Sequence, residues 1–326
     1  MLTRLLISVL VGLALFSGAL AQEVRLQDIP STGLGPDRFQ DLPLELADRQ
    51  AVEQAYKAHN YERAESLLVE QINKNPQSSL MLTTLAAIYF LDGKQLPCAI
   101  ALKKAEALAP LDNRSRFTLA LAYIILDHRD WARPELEKLI AADTLNPLYP
   151  YWLGRIDYDA MRFKEAVACF RKALALDPHF MKGYDNLGLS YEALAQYDEA
   201  TGAYEEGIRL NKQRADPSPW PDLNLATLLI KLGKFEEARK ALEESLGYDS
   251  HFPKAHYQMG LLLEKEKKDK EAVEELNLAV RYDPSYPEPH YVLGRIYQRL
   301  GDKSKADAAW STFQKLKKEN PDVRPH

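Results

Sequence analysis

Residues 181–212 read MKGYDNLGLSYEALAQYDEATGAYEEGIRLNK and contain two helical patterns in succession. In each pattern, apolar or small residues recur at steps of three and four, which is the period of one helix face. The first set is Tyr184, Leu187, Gly188 and Tyr191, and the second is Ala200, Tyr204, Gly207 and Ile208. Ala195 and Gln196 lie between the sets, where we expect a turn. One pair of short helices cannot bury both faces, so this unit is expected to be repeated.

Copies of this unit follow one another from Glu45 onward. Eight units start at residues 45, 79, 113, 147, 181, 219, 253 and 287. Every spacing is 34 residues except the one from 181 to 219, which is 38. The four extra residues fall around 213–220 (QRADPSPW), where we expect a longer, proline-rich loop that could form a hinge or carry a contact.

Two positions of the unit hold small residues throughout. From the first repeat to the eighth, the eighth position holds Val52, Ala86, Ala120, Gly154, Gly188, Ala226, Gly260 and Gly294. In the same order, the twentieth position holds Ala64, Cys98, Ala132, Ala166, Ala200, Ala238, Ala272 and Ala306. Small side chains at both places predict two helices that approach closely. Proline after several second helices, as at Asp177-Pro178, ends each of those helices.

These residues resemble the tetratricopeptide repeat, whose 34-residue pattern has an aromatic residue, Leu-Gly, Tyr, Ala, Phe and Pro in that order. The resemblance covers residues 45–320 and leaves a tail at 321–326. It implies an all-α, right-handed superhelical solenoid of helix-turn-helix repeats. Asp157 departs from the family, which places an apolar residue or tyrosine there, so the pair from Pro147 is expected to pack slightly off register.

The beginning of the chain differs in composition from the repeats. Arg4, an apolar run and the ending Ala19-Leu20-Ala21 predict a signal peptide at 1–21, and the protein is then exported: periplasmic if bacterial, otherwise secreted. The alternative is an uncleaved anchor helix, but the run is shorter than the roughly 20 residues that span a bilayer. Residues 22–44 show no helical period and are expected to form an extended leader. No later segment is apolar enough to predict a membrane span.

Composition gives little sign of a nucleic-acid partner or of catalysis. The net charge is −5, and basic residues are mixed with acidic ones along the chain.

Cys98 and Cys169 lie two repeats apart, which favours buried free thiols over a disulfide. His256 and His290 occupy the same position in neighbouring repeats, and we expect these side chains to pack against their neighbours rather than to bind a metal. We find no phosphate loop or nucleophile motif, and expect no enzyme activity, cofactor or metal.

The family resemblance places a binding surface on the first helices, whose second, fifth, sixth, ninth, twelfth and thirteenth positions line a concave groove. Mapped onto this chain, the candidate residues that contact a partner are Phe90, Phe117, Ile124, Tyr151, Trp152, Arg155, Tyr158, Asn186 and Asn224. Aromatic residues and arginine are common anchors of binding. Asparagine can both donate to and accept from a peptide backbone. We therefore expect a non-catalytic scaffold or adaptor that holds a protein or peptide segment, with cell-envelope assembly or secretion as a candidate setting.

Three alternatives remain open from the sequence. The same side chains could pack inside the superhelix or beneath the leader 22–44. The protein could be a self-assembling structural subunit, although a monomer is expected. It could also carry a small ligand, which would require polar groups that converge in a closed cavity.

Overall fold

The computed structural model describes residues 38–319. The predicted signal peptide, leader residues 22–37 and residues 320–326 lie outside this range. Within it, the secondary structure consists of sixteen α-helices and one short 3-10 helix, with no strand. The chain divides into two compact units at Asp177 and Pro178. The all-helical class predicted from the sequence is thereby confirmed.

Each unit contains eight helices. The N-terminal unit comprises α1 (Leu46–Lys57), α2 (Tyr61–Lys74), α3 (Ser79–Leu91), α4 (Gln95–Leu108), α5 (Asn113–Ile125), α6 (Arg129–Ala142), α7 (Leu148–Asp159) and α8 (Phe163–Leu176). The C-terminal unit comprises α9 (Met181–Ala193), α10 (Tyr197–Asn211), α11 (Trp220–Lys231), α12 (Phe235–Tyr248), α13 (Pro253–Lys265), α14 (Asp269–Tyr282), α15 (Glu288–Arg299) and α16 (Lys303–Glu319). The first helix of every pair begins at the expected start of a repeat or one residue later.

The helices pack in sequence order. The two helices of each repeat contact each other, and within each unit the second helix also contacts the first helix of the next repeat. Each pair thus buries its apolar faces against neighbours, as repeat proteins require.

The turn inside each repeat has a left-handed residue at the same place, the fifteenth of the unit. Its φ angle lies between 55° and 80° in all eight repeats. The residues are His59, Gly93, Asp127, Met161, Ala195, Gly233, Lys267 and Gly301. For a residue with a Cβ this conformation costs on the order of 1 kcal/mol. Helix packing therefore imposes this turn even where the sequence has no glycine.

The eighth and twentieth positions are in the core. All eight residues at the twentieth position are at most 1% exposed. The glycines at the eighth position face the large side chain at the twenty-fourth: a methyl group on Gly154 would lie 2.8 Å from the Phe170 ring, and one on Gly260 would lie 2.7 Å from Leu276. Where alanine stands at the eighth position, the twenty-fourth is leucine, as at Ala120 and Leu136. Three of the four glycines at the eighth position, Gly154, Gly188 and Gly294, thus face an aromatic ring at the twenty-fourth.

Two local expectations differ from the structure. Residues 38–44, expected to be extended, include the 3-10 helix Phe39–Asp41, and Phe39 packs 5.1 Å from the Tyr56 ring. Asp157 does not disturb the helices of its repeat, which have the usual bounds. It is 1% exposed and accepts hydrogen bonds from Arg133 and Arg162, so ion pairs compensate its burial.

Candidate partner-binding surface

The apolar candidates of the N-terminal unit are almost completely buried. Phe90 on α3 is 2% exposed, Phe117 and Ile124 on α5 are 6% and 7%, and Trp152 on α7 is 1%. Helices α3 and α5 contact each other directly, so residues that face along the first-helix layer are covered by the neighbouring repeat. These side chains form part of the core of the unit.

Three candidates meet on α7 and form a cluster. The Tyr151 and Trp152 rings lie 5.6 Å apart, and Arg155 Cζ lies 5.8 Å from the centre of the Trp152 ring. Arg155 also donates a hydrogen bond to the Tyr151 hydroxyl at 3.3 Å. Tyr151 and Arg155 are 3% and 4% exposed, and Tyr158 on the same helix is half-buried beside Phe163. The sequence predicted the proximity of these residues, but their burial depends on the tertiary packing.

This burial changes what a mutation at the cluster would report. Trp152 is among the largest fully buried side chains. Replacing a buried tryptophan by alanine costs about 3–5 kcal/mol of stability. A loss of binding after that change would therefore not distinguish a contact residue from a core residue.

The two asparagine candidates of the C-terminal unit are also buried. Asn186 and Asn224 are each 3% exposed. The Asn186 side chain donates to the carbonyl of Lys182 on its own helix at 2.8 Å. Asn224 Oδ1 has no hydrogen-bond partner within residues 38–319. The amide donor of Asn186 is therefore already used, whereas Asn224 retains an acceptor.

Partly accessible aromatic residues lie on α11, α13 and α15 of the C-terminal unit. We call the following residues the cation–aromatic row: Trp220, Lys254, Tyr257, Tyr291 and Arg295. Lys254 Nζ lies 4.9 Å from the centre of the Trp220 ring, and Arg295 Cζ lies 5.7 Å from that of Tyr291. The three rings and Lys254 are half-buried, and Arg295 is exposed. Such faces combine apolar area with cation–π contacts.

A carboxylate holds Arg295 of this row in place. Glu264, whose side chain is 9% exposed, accepts hydrogen bonds from Arg295 and Arg299. Arg299 also pairs with Asp269 at 2.7 Å. Because these pairs fix the guanidinium groups, the surface is preorganised for contact. None of the row's residues is among the candidates selected from the sequence. Tyr257 and Tyr291 occupy a repeat position that holds buried residues in other repeats, so the sequence did not indicate that they are partly exposed.

The two cysteines and the histidines noted in the sequence lie in the described part, where Cys98 is buried and Cys169 is partly buried. Cys98 and Cys169 are free thiols, and burial raises their pKa values to about 12 and about 11, which keeps them protonated and unreactive near neutral pH. His256 lies 2.7 Å from Glu275 and contacts Tyr282. Within residues 38–319 no group of three metal-binding side chains comes together. In the same range no helix has both the length and the apolar character needed to cross a bilayer.

One cavity opens beside the start of α9. Its volume is about 390 Å³ and it is partly open to solvent. The lining residues are His179, Phe180, Met181, Lys182, Leu210, Gln213 and Arg214. An open cavity of this kind differs from the closed, polar site that a small-ligand carrier would require.

The fold and this surface define an all-helical repeat protein built from hairpins of two helices. Models of the tetratricopeptide repeat family match residues 151–180, 184–218 and 223–287. Over these residues the chain consists of tetratricopeptide repeats, as the sequence pattern indicated. Proteins of this family are generally scaffolds for interactions between proteins.

Curated relatives match only part of this chain. A 92-residue segment is 35% identical to the TPR repeat-containing protein YpiA of Bacillus subtilis and covers 28% of this chain and 21% of that protein. A 103-residue segment is 31% identical to protein bimA of Emericella nidulans and covers 32% and 12% of the two chains. The matches thus span only 21% and 12% of the relatives' lengths.

Solved structures extend the similarity of fold over more of the chain. The yeast Tom70 structure superposes with a TM-score of 0.59 at 18% identity, over 87% of this chain and 64% of that one. The pilF protein of Pseudomonas aeruginosa superposes with a TM-score of 0.53 at 21% identity, over 68% and 95%. At such identities the likeness concerns the fold alone.

Proposed function

We propose that this protein is a non-catalytic scaffold that holds an extended segment of a partner protein against the cation–aromatic row of the C-terminal unit. The observation that carries the proposal is the row itself. It presents three half-buried aromatic rings on successive first helices, two of them with a cation over the ring. In this proposal the candidate residues of α3, α5 and α7 stabilise the N-terminal unit, because their side chains are packed inside it.

The chemistry of the row suggests the kind of segment that it binds. Half-buried aromatic rings gain free energy when an apolar side chain covers their remaining exposed area, at roughly 25 cal/mol per Å². Lys254 and Arg295 favour a segment that also carries acidic side chains. An apolar segment with interspersed aspartate or glutamate therefore fits better than a basic one.

Site-specific photocrosslinking tests this proposal. A photoreactive phenylalanine analogue placed at Tyr257 or Tyr291 should crosslink to a discrete partner in the native compartment. The control places the same analogue at Trp131, which is 57% exposed on the second helix α6. Crosslinks from the row positions alone support the proposal. Equal products from all three positions, or none from the row, contradict it.

Substitution within the row gives a quantitative measure once a crosslinked segment is identified. Tyr291→Ala should weaken binding of that segment by roughly tenfold or more, as expected for an aromatic anchor. The helical content should stay unchanged by circular dichroism, because Tyr291 is only half-buried. Unchanged affinity in this variant would remove Tyr291 from the binding surface.

We also propose that the protein acts outside the cytoplasm, as the apolar run before Gln22 indicates. A role in envelope assembly or secretion is a special case of this proposal. Mass spectrometry of the protein recovered from its host gives the mature N-terminus. A mature chain that begins at Gln22 supports export with cleavage, and a chain that retains residues 1–21 contradicts it.

A further inference from the structure

Two aspartates on neighbouring first helices of the C-terminal unit are buried without the partners that buried carboxylates normally have. Asp185 on α9 is 1% exposed and Asp222 on α11 is 3% exposed. Both oxygens of Asp185 and Oδ2 of Asp222 have no hydrogen-bond partner within residues 38–319. An unpaired carboxylate in such surroundings loses several kcal/mol of hydration, so the protonated form is favoured.

The space around Asp185 is closed by its neighbours. A methyl group on Gly207 of α10 would lie 3.0 Å from Asp185 Oδ1. Helices α9, α10 and α11 all contact one another in this region. The carboxyl group of Asp185 is therefore packed between these helices.

Charged groups on the surrounding helices offset the burial only in part. Lys182, one turn before Asp185, lowers the pKa of Asp185, and Lys212 at the end of α10 lowers that of Asp222. Glu244 on α12 acts in the opposite direction on Asp222, and it lies 3.8 Å from Lys212.

The remaining titratable groups nearby are already engaged or neutral. Tyr248 on α12 has its pKa raised, mainly by burial and then by Asp222. On α13, which also contacts α11, Lys254 lies over Trp220 and His256 is hydrogen-bonded to Glu275. None of these groups forms an ion pair with Asp185 or Asp222 among the described residues.

Burial is the main cause of the pKa change of both carboxyls. It raises the pKa of Asp185 to about 7, with a further contribution from Asp222, and it raises the pKa of Asp222 to about 6. In an unfolded chain an aspartate titrates near pH 3.9. Between about pH 4 and 7 the folded chain therefore binds more protons than the unfolded chain, and stability falls as pH rises through this interval.

We propose that Asp185 and Asp222 form a pH-sensitive latch between the fifth and sixth repeats. When protonated, the two neutral side chains allow α9, α10 and α11 to pack closely. When the protons leave, two buried negative charges repel each other and favour separation of these helices. The latch controls the packing beside the loop 212–219, and it rests on observations other than those that support binding at the cation–aromatic row.

Hydrogen exchange of the full chain, measured by mass spectrometry between pH 5 and pH 8, tests the latch. After correction for intrinsic exchange, the amides of α9–α11 should lose protection as pH rises in the wild-type protein. Asp185→Asn keeps the shape of the side chain and cannot ionise. In this variant, the increase in exchange rate between pH 5 and pH 8 should be smaller than in the wild type by roughly ten- to a hundred-fold, since each unit of difference in pKa changes the equilibrium constant tenfold.

Asp157 provides a matched control because it is equally buried but has two arginine partners. Asp157→Asn removes ion pairs with Arg133 and Arg162 and should destabilise the N-terminal unit at pH 7. Asp185→Asn should instead stabilise the C-terminal unit at that pH. The opposite signs separate the latch from a general effect of removing a buried carboxylate.

Two results would overturn the latch. One is an equal pH dependence of α9–α11 exchange in the wild type and in Asp185→Asn. The other is a wild-type protein with no loss of protection in these helices up to pH 8. If Asp185→Asn does not fold, Asp222→Asn serves as the second variant. It retains Asp185 but removes the neighbouring charge that raises the pKa of Asp185. The loss of protection should therefore be smaller than in the wild type and complete at a lower pH. A profile of this variant equal to that of the wild type would then overturn the latch in place of the first result.

Discussion

At the scale of single residues, the pairing of the eighth and twenty-fourth positions sets how closely the two helices of a repeat approach. Gly154 stands against Phe170, whereas Ala120 stands against Leu136. Each pairing fills the space between the two helices of its repeat with a different combination of side chains. The sequence shows the small residue at each eighth position, and only the tertiary structure shows which side chain fills the space beside it.

We predict that Gly154→Ala destabilises the N-terminal unit by about 1–3 kcal/mol, because its methyl group would lie 2.8 Å from the Phe170 ring. Adding Phe170→Leu should recover part of this loss, since it recreates the alanine–leucine pair of the third repeat. Urea denaturation of the two single variants and the double variant measures the coupling. Strictly additive effects would show that the two positions do not compete for the same space.

At the scale of elements, the connection between α10 and α11 is held by one side chain. Asn211 is fully buried and its Nδ2 donates to the Ser218 carbonyl at 2.7 Å, while the Ser218 amide donates to Asn211 Oδ1 at 2.8 Å. Ser245 adds a hydrogen bond to the Pro219 carbonyl at 2.8 Å. These hydrogen bonds hold the C-terminal end of the proline-rich loop that the 38-residue spacing predicted.

Replacing this asparagine should loosen the loop. Asn211→Ala leaves the Ser218 backbone groups without their partner and is expected to cost about 1–3 kcal/mol. Ser218→Ala is the control, because it retains both backbone hydrogen bonds to Asn211. Limited proteolysis within residues 212–219 should accelerate in the first variant only. Equal cleavage of both variants would mean that Asn211 does not restrain the loop.

At the scale of the whole molecule, the last helix bears on whether copies stack end to end. The outward positions of α16 are polar: Gln314, Lys315, Lys318 and Glu319 are exposed. Other repeats have an apolar residue where Gln314 stands, for example Leu246 and Val280. These polar groups on α16 disfavour stacking of another copy against this face, because stacking would bury charged groups.

We therefore expect a monomer whose mass in static light scattering does not change with protein concentration. Gln314→Leu combined with Lys318→Leu should promote association by creating an apolar end face. Lys103→Leu and Glu106→Leu, on α4 and away from the end, form a control of equal added hydrophobicity. A wild-type mass that rises with concentration would favour the self-assembling subunit.

The sequence by itself determined the helices, their pairing and the family, because these follow from a local period that eight copies repeat. It also identified Tyr151, Trp152 and Arg155 as neighbours, since they lie within one helical turn of each other. Tertiary structure alone decided their exposure. At the fifth position of the repeat, Phe117 and Tyr151 are buried, whereas Tyr257 and Tyr291 are partly exposed. Tertiary structure also placed Asp185 beside Asp222, because the distance between residues on different helices depends on packing that no single repeat specifies.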